Sequence, residues 1–204
     1  MKILCVARNY AQHAQEMRVN TTESPVFFLK PDSALLQKHQ PFFYPDFSED
    51  IQHEIELVVK IDKVGKCIQE KFAPRYYSSI ALGIDFTARD LQQKFKQQSL
   101  PWALSKGFDG AAVLSQFVEL KDLGKDIQDI HFSLYKNGEL TQDGYSGDML
   151  FSVNQLISYV SQYMTLKTGD LIYTGTPVGV GPVKIGDVLE GVLEDRKILQ
   201  CRIK

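Results

Sequence analysis

His53-Glu-Ile-Glu-Leu-Val-Val-Lys-Ile-Asp62 is the stretch whose reading decides the fold. Taken as one strand, it puts Ile55, Leu57, Val59 and Ile61 on one face and Glu54, Glu56 and Val58 on the other, because side chains alternate along a strand. The first face is wholly apolar, and Val58 carries that character onto the second. A strand apolar on both sides is generally buried on both sides. Carboxylates buried side by side need a proton, an arginine or a metal. If the second face is solvated instead, Glu54 and Glu56 are ordinary surface charges, and spacing alone leaves that alternative standing. Asp85, ending the run Ala81-Leu-Gly-Ile-Asp85, offers a third carboxylate. Three carboxylates make a hard oxygen site that favours Mg2+ or Mn2+ over zinc or copper.

Outward from this stretch, residues 2–6 read as a short buried strand and 8–17 as a loop running into a short helix. Residues 26–30 read as a strand stopped by Pro31, and 41–50 as an irregular connection rich in aromatics, prolines and acids. On the other side, Val64-Gly65-Lys66 turns the chain. A helix is expected over 73–80, a strand over 81–86, a polar helix over 87–98, and a loop with a short strand over 102–115. Strand-like runs at 131–135 and 140–145 flank Asn137-Gly138, a hairpin signal. Ser152-x-x-Gln155 is a capping box opening a helix over 153–163. A strand over 171–173, a glycine-proline loop over 175–182 and two closing strands over 188–203 around Glu194-Asp195 complete the chain. Strands outnumber helices, so the class is α+β, mainly β. Neither a repeat nor a linker divides the 204 residues, and one domain spanning 1–204 is expected.

Composition narrows the function classes. The chain is 44% hydrophobic and 24% charged, with a formal net charge of -2 and interspersed signs. No basic face calls for nucleic acid, and no apolar run reaches membrane-spanning length. Met1-Lys-Ile-Leu-Cys-Val6 is too short an apolar run for a signal peptide, so the cytoplasm is the expected location. Cys5, Cys67 and Cys201 are far apart with no C-x-x-C pair, which fits a reducing compartment; each sits in apolar sequence and is expected in the core. A small anionic substrate would need local positive charge from a metal or a few basic side chains.

Five segments carry a resemblance. Arg8-Asn-Tyr-x-x-His13-x-x-Glu16, His53-Glu-Ile-Glu-Leu57, Gly83-Ile-Asp-Phe-Thr-Ala-Arg-Asp-Leu-Gln92, Lys106-Gly-Phe-Asp109 and Thr174-Gly-Thr-Pro-Val-Gly-Val-Gly181 occur in this order. Together they resemble the fumarylacetoacetate hydrolase superfamily, and the first is similar to its acylpyruvase and oxaloacetate decarboxylase branch. Each segment alone is modest; five in order over nearly the whole chain are specific. The resemblance implies a mixed β-roll of the fumarylacetoacetate hydrolase C-terminal domain type, with helices packed outside, usually as a homodimer. It implies Mg2+ or Mn2+ held at Glu54, Glu56 and Asp85, the positions already singled out. Residues 1–50 would then hold the N-terminal strand, a catalytic helix and a lid at 21–24.

The remaining site residues take their roles largely from the resemblance. His13 and Glu16 share a helix face at i,i+3; a surface pair is the plain alternative, whereas the family implies a general base, His13, oriented by Glu16. Lys106, otherwise a solvated loop lysine, would stabilise a developing enolate oxygen. Arg8 is a further substrate-binding candidate. Arg89 and Gln92, otherwise an exposed helix face, would bind the substrate carboxylate or hold the lid. Lys30 is a weaker neighbour of the site. The loop 174–181 lacks the Gly-Lys-Ser/Thr ending of a phosphate-binding loop; its glycines either make a tight structural turn or let backbone approach a substrate, and Thr176 could donate to a carboxylate. His53 reads as structural or as a residue just behind the site, and His39 and His131 as surface. The implied substrate is a small 2-oxo or 2,4-dioxo acid. The implied reaction is C–C hydrolysis of acylpyruvates to pyruvate and a carboxylate, with oxaloacetate decarboxylation possible at the same electron sink. Oxaloacetate tautomerase or another 2-oxo acid isomerase is the alternative. A noncatalytic metal-stabilised binding module ranks behind both.

Overall fold

The computed structural model describes residues 1–18, 20–38 and 40–204. His39, read above as a surface residue, lies outside the described residues. In chain order the first half forms β1 (Ile3–Ala7), α1 (Ala11–Glu16), β2 (Val26–Lys30), β3 (Ile51–His53), β4 (Ile55–Lys60), β5 (Ser79–Asp85), β6 (Thr87–Ala88), α2 (Arg89–Gln97) and α3 (Ala103–Lys106). The second half forms β7 (Ala112–Leu114), β8 (Val118–Glu119), α4 (Leu120–Leu123), β9 (His131–Lys136), β10 (Glu139–Tyr145), α5 (Val153–Tyr163), β11 (Leu171–Tyr173), β12 (Gly181–Pro182), β13 (Val188–Leu193) and β14 (Arg196–Arg202). A seven-stranded sheet runs β2-β1-β11-β4-β5-β7, with β8 also paired to β5. It is mixed, because β1 and β11 are parallel while their other pairings are antiparallel. An antiparallel sheet β10-β9-β13-β14 packs against it, and β12-β3-β6 forms a small third sheet. The expected mainly-β roll with peripheral helices is the observed architecture.

β4 explains the arrangement. It is an inner strand, paired to β11 on one side and β5 on the other. Ile55, Leu57 and Val59 enter the main core together with Leu134, Leu189, Leu193 and Leu199 of the four-stranded sheet. Val58, on the opposite face, packs with Ile3, Cys5, Ala81, Leu171 and Tyr173 in a second cluster. Both faces are therefore buried, and each such aliphatic side chain contributes roughly 1.5–3 kcal/mol through apolar burial. Glu54 and Glu56 sit at the end of this doubly covered sheet and are themselves buried.

Several local expectations are corrected. The strand over 53–62 is broken at Glu54, where the chain leaves the small sheet and enters the large one. The helix expected over 73–80 is a 3-10 turn at Glu70–Tyr76, containing Pro74. Proline lacks the N–H that an α-helix interior needs. Ser79 and Ile80 belong to β5, where Ile80 pairs with both Val59 and Val118. The helix over 87–98 begins only at Arg89, since Thr87 and Ala88 pair with β3. The segment 102–115 includes the short helix α3 as well as β7. Cys5 and Cys201 are buried, but Cys67 is exposed; it lies in a turn at φ 50°, which takes its side chain out of the core. The hairpin over β9 and β10 forms as expected. So does α5, capped by Ser152 Oγ accepting from Gln155 N and Gln155 Oε1 accepting from Ser152 N. Among the described residues, no helix is long and apolar enough to cross a membrane.

Candidate active site

The antiparallel register of β4 and β5 sets three carboxylates on one face. Ile55 pairs with Ile84 and Glu56 with Gly83, so Glu54 stands opposite Asp85, and Asp85 N donates to the Glu54 carbonyl at 2.8 Å. Gly83 must be glycine here: a Cβ would lie 2.3 Å from the Tyr173 ring, which crosses the strand at that point. Ligand oxygens of Glu54, Glu56 and Asp85 lie within 4.8 Å of one another, and all three residues are buried.

Positive charge is built around them. Lys106, at the end of α3, places Nζ 2.8 Å from Glu54 Oε2 and 2.9 Å from Asp85 Oδ2. Arg89 opens α2 and donates to Glu54 Oε1 at 2.6 Å, to Gln92 Oε1 at 2.7 Å and to Gln52 Oε1 at 2.8 Å. Lys30, fully buried at the end of β2, brings Nζ 2.7 Å from Asp85 Oδ1. That contact lacks hydrogen-bond geometry, so Asp85 Oδ1 remains a buried oxygen without a hydrogen bond. Lys30 instead donates to the backbone carbonyls of Ala111, Phe86 and Lys106.

These neighbours set the protonation states. Burial works to raise the Glu54 pKa, but Lys106, Arg89 and His13 outweigh it and hold the group ionised. Burial also works against the Lys106 ammonium, yet Asp85 and Glu54 carry its pKa upward. Glu56 is set the other way: burial first, then the Asp85 and Glu54 carboxylates, push it well above the usual range, against a hydrogen bond from Gly175 N at 2.7 Å and the charge of Lys106. The donor set therefore fits a hard divalent cation. It has three clustered carboxylates, an unbonded Asp85 oxygen, and a Glu56 that needs positive charge to ionise.

The carboxylates lie at the base of a cleft of about 510 Å3, counted to open solvent. Arg8, His13, Arg89, Gln92, Lys106 and Thr176 line it as well, so nine of the ten site residues expected from sequence converge there. The tenth, Glu16, lies just outside and touches the cleft through His13, whose Nδ1 is 2.9 Å from Glu16 Oε2. Glu16 Oε1 in turn accepts from Gly179 N at 3.0 Å, tying α1 to the glycine-rich loop. Arg8 adopts φ 61°, a left-handed conformation that costs a non-glycine residue about 1–2 kcal/mol. The next residue, buried Asn9, anchors it by bonding the backbone of Phe151 and Thr174. Residues 21–24, expected as a lid, contribute no side chain to the cleft lining.

Six lining residues were not anticipated as site residues: Val6 and Ala7 of β1, Met17, Phe28, Lys96 and Trp102. Phe28 and Trp102 meet edge to face with centroids 5.9 Å apart and form an apolar wall. Met17 extends the helix bearing His13, and Lys96 lies 5.6 Å over the Trp102 ring. Lys96 follows Gln92 by one helical turn, a spacing that could have flagged it. His53 is buried, and burial lowers its pKa. His131 is exposed, stacked on Tyr145. Among the other aromatics near these segments, Phe42 is core and stacks on Phe86, Phe43 is exposed, and Phe27 and Tyr44 pack at the edge of the core.

Comparison with known proteins gives a consistent picture. The family described as fumarylacetoacetate (FAA) hydrolase C-terminal matches residues 2–204. Oxaloacetate tautomerase FAHD1, mitochondrial, of Mus musculus is 42% identical over 202 residues, covering 99% of this chain and 91% of that protein. Oxaloacetate decarboxylase, mitochondrial, of Dictyostelium discoideum is 46% identical over 190 residues, covering 93% and 87%. The crystal structure of fumarylpyruvate hydrolase from Pseudomonas aeruginosa in complex with Mn2+ and pyruvate superposes with a TM-score of 0.93 at 34% identity. It covers 100% of this chain and 89% of that one.

Proposed function

This chain belongs to the fumarylacetoacetate hydrolase family, and on that premise we propose that it is a Mg2+- or Mn2+-dependent enzyme that cleaves the C–C bond of acylpyruvates. The metal would be held by Glu54, Glu56 and Asp85. The observation that carries the reading is the hydrogen-bonded pair His13 and Glu16 in the same cleft as the three carboxylates and Lys106. A bound divalent cation supplies Lewis-acid polarisation of the 2-oxo group.

The chain's own residues do the rest. Glu16 engages His13 Nδ1 and leaves Nε2 to take a proton from water. The hydroxide adds to the distal acyl carbonyl of the acylpyruvate. The bond between that carbon and the methylene carbon then breaks, its electron pair staying on the methylene as the enolate of pyruvate. The proton held on His13 returns to that carbon, so water and acylpyruvate are converted to pyruvate and a carboxylate. Lys106 spends two N–H donors on Glu54 and Asp85, which leaves the third for the enolate oxygen. Thr176 and Arg8 would bind the carboxylate of the oxo acid. Arg89 is largely committed to Glu54, Gln92 and Gln52, so its part is to hold Glu54, with Gln92 bracing it.

A second reading is supported by the names of the relatives. Oxaloacetate tautomerisation or decarboxylation uses the same enolate and needs no attack by water. The deciding experiment follows pyruvate release from acetylpyruvate and from oxaloacetate, together with enol-to-keto conversion of oxaloacetate, with Mg2+ and with chelator. Metal-dependent pyruvate from acetylpyruvate supports hydrolysis. Metal-dependent keto–enol exchange without pyruvate from either compound would replace it with the tautomerase reading. Two further expectations go with the proposal, a homodimer and a cytoplasmic location, which sedimentation and cell fractionation would check.

A further inference from the structure

Gln142 is 1% exposed, yet no step above uses it. It stands on β10 beside an irregularity in the pairing with β9: Leu140 faces Tyr135 and Gln142 faces Leu134, leaving Thr141 as an extra residue. A bulge of this kind re-aims the side chains around it; here Gln142 points inward. The glycine-rich loop is pressed onto the bulge. Gly179 has φ 99°, and a Cβ there would lie 2.1 Å from the Thr141 carbonyl oxygen.

Both ends of the Gln142 amide are committed. Oε1 accepts from Ile55 N at 3.0 Å and from His53 Nδ1 at 3.0 Å. Nε2 donates to Pro177 O at 3.0 Å and to Thr176 Oγ1 at 2.8 Å. The Ile55 N–H can only donate and the Pro177 carbonyl can only accept, so the amide has one possible orientation. His53 must then carry a proton on Nδ1. Thr176 Oγ1 must accept, which leaves its own proton to point elsewhere, and Thr176 lines the cleft. The Ile55 N–H is available because the chain changes sheets at Glu54. One amide thus links the backbone beside a carboxylate of the site to a hydroxyl on the loop across from it.

We infer that Gln142 is a positioning residue that fixes the Thr176 hydroxyl as a hydrogen-bond donor to the carboxylate of the bound oxo acid. The inference rests on reading the cleft as a 2-oxo acid site. Gln142→Glu tests it, because the shape and the two accepted hydrogen bonds are kept while the nitrogen that donates to Thr176 and to the Pro177 carbonyl is replaced by an acceptor. The Thr176 proton would then turn to the new carboxylate and away from the cleft.

The experiment is calorimetric titration of oxalate into Mg2+-loaded wild type, Gln142→Glu, Thr176→Val, Thr176→Ser and the Gln142→Glu/Thr176→Val double variant. Mg2+ binding without oxalate reports on the integrity of each protein. Gln142→Glu and Thr176→Val should each weaken oxalate binding about tenfold to hundredfold, the range for one hydrogen bond to a charged group. Thr176→Ser, which keeps the hydroxyl, should recover most of the affinity that Thr176→Val loses, and the double variant should bind no worse than the weaker single variant. Wild-type affinity in Gln142→Glu would overturn the inference. So would additive losses in the double variant, which mark charge repulsion alone. Equal losses in Thr176→Val and Thr176→Ser would overturn it too, and need no change at Gln142. A wild type that binds Mg2+ but no oxalate would overturn the site reading and the inference together.

Discussion

Replacing Lys106 with methionine would remove the ammonium that bridges Glu54 and Asp85 while preserving most of the side-chain volume. At 2.8 and 2.9 Å, each contact carries a Coulomb attraction of about 6 kcal/mol at an effective dielectric of 20. Most of that is offset by the cost of burying the charges, and removing one partner of a buried pair typically leaves a net loss of about 3–5 kcal/mol. Arg89 still holds Glu54 and Lys30 still faces Asp85, so the low end applies to the metal-free protein, about 3 kcal/mol. For a chain of this size that is a fall of roughly 6–12 °C in melting temperature. The loss has a signature in pH. In wild type Lys106 is the largest influence holding Glu54 down; without it the folded-state pKa moves up toward the unfolded value. A carboxylate with a depressed folded pKa gives stability that is present above its unfolded pKa and lost as pH falls through the folded one, so the deficit of the variant should be full near neutrality and shrink as pH falls into the ordinary carboxylate range. Mg2+ should restore more stability to the variant than to wild type, because the cation supplies the missing charge. Thermal melts from pH 4 to 8, with Mg2+ and with EDTA, read all three effects. A variant in EDTA as stable as wild type, or one rescued no further by Mg2+, would refute the reasoning.

Other outcomes follow from the same geometry. His13→Ala should leave Mg2+ affinity intact and lower acylpyruvate hydrolysis by about 100- to 10,000-fold, the range for loss of a general base; undiminished hydrolysis removes His13 from the mechanism. Burial, with the Asp85 and Glu54 carboxylates adding to it, holds Glu56 well above its usual pKa, so Mg2+ must displace its proton. Below that pKa the apparent metal affinity should fall about tenfold per pH unit, and calorimetric enthalpies should vary with buffer ionisation enthalpy. Buffer-independent enthalpies would contradict this. Ser152→Ala removes the N-cap of α5 and should cost about 1 kcal/mol without touching turnover, as a melt and an assay on one preparation would show.

The mainly β class and the carboxylate cluster were legible in local signals, whereas the roll came only with the family resemblance. Val58 carries apolar character onto the second face of 53–62, and a strand covered on both sides takes Glu54 and Glu56 inside with it. The hairpin turn and the capping box likewise depend on residues adjacent in sequence. What stayed hidden depends on contacts between distant segments. The break at Glu54 comes from a change of sheet, which alternation cannot register. The stretch 73–80 has helical composition, but Pro74 and the pairing of Ile80 with Val59 and Val118 decide otherwise. Arg89 was identified, but not that Gln52 and Gln92 would saturate much of its guanidinium. Gln142 falls within the strand-like run 140–145 and was not singled out, because a bulge leaves no mark in sequence. Its role shows only when Thr176, His53 and Ile55 are placed around it.

The most direct test of the central claim is a crystal structure of the protein grown with Mn2+ and oxalate, with anomalous diffraction locating the metal. The account predicts one strong anomalous peak bonded to Glu54, Glu56 and Asp85, with oxalate chelating the ion and one carboxylate end at Thr176. A peak elsewhere, or an ion that leaves any of the three carboxylates unbound, would contradict it.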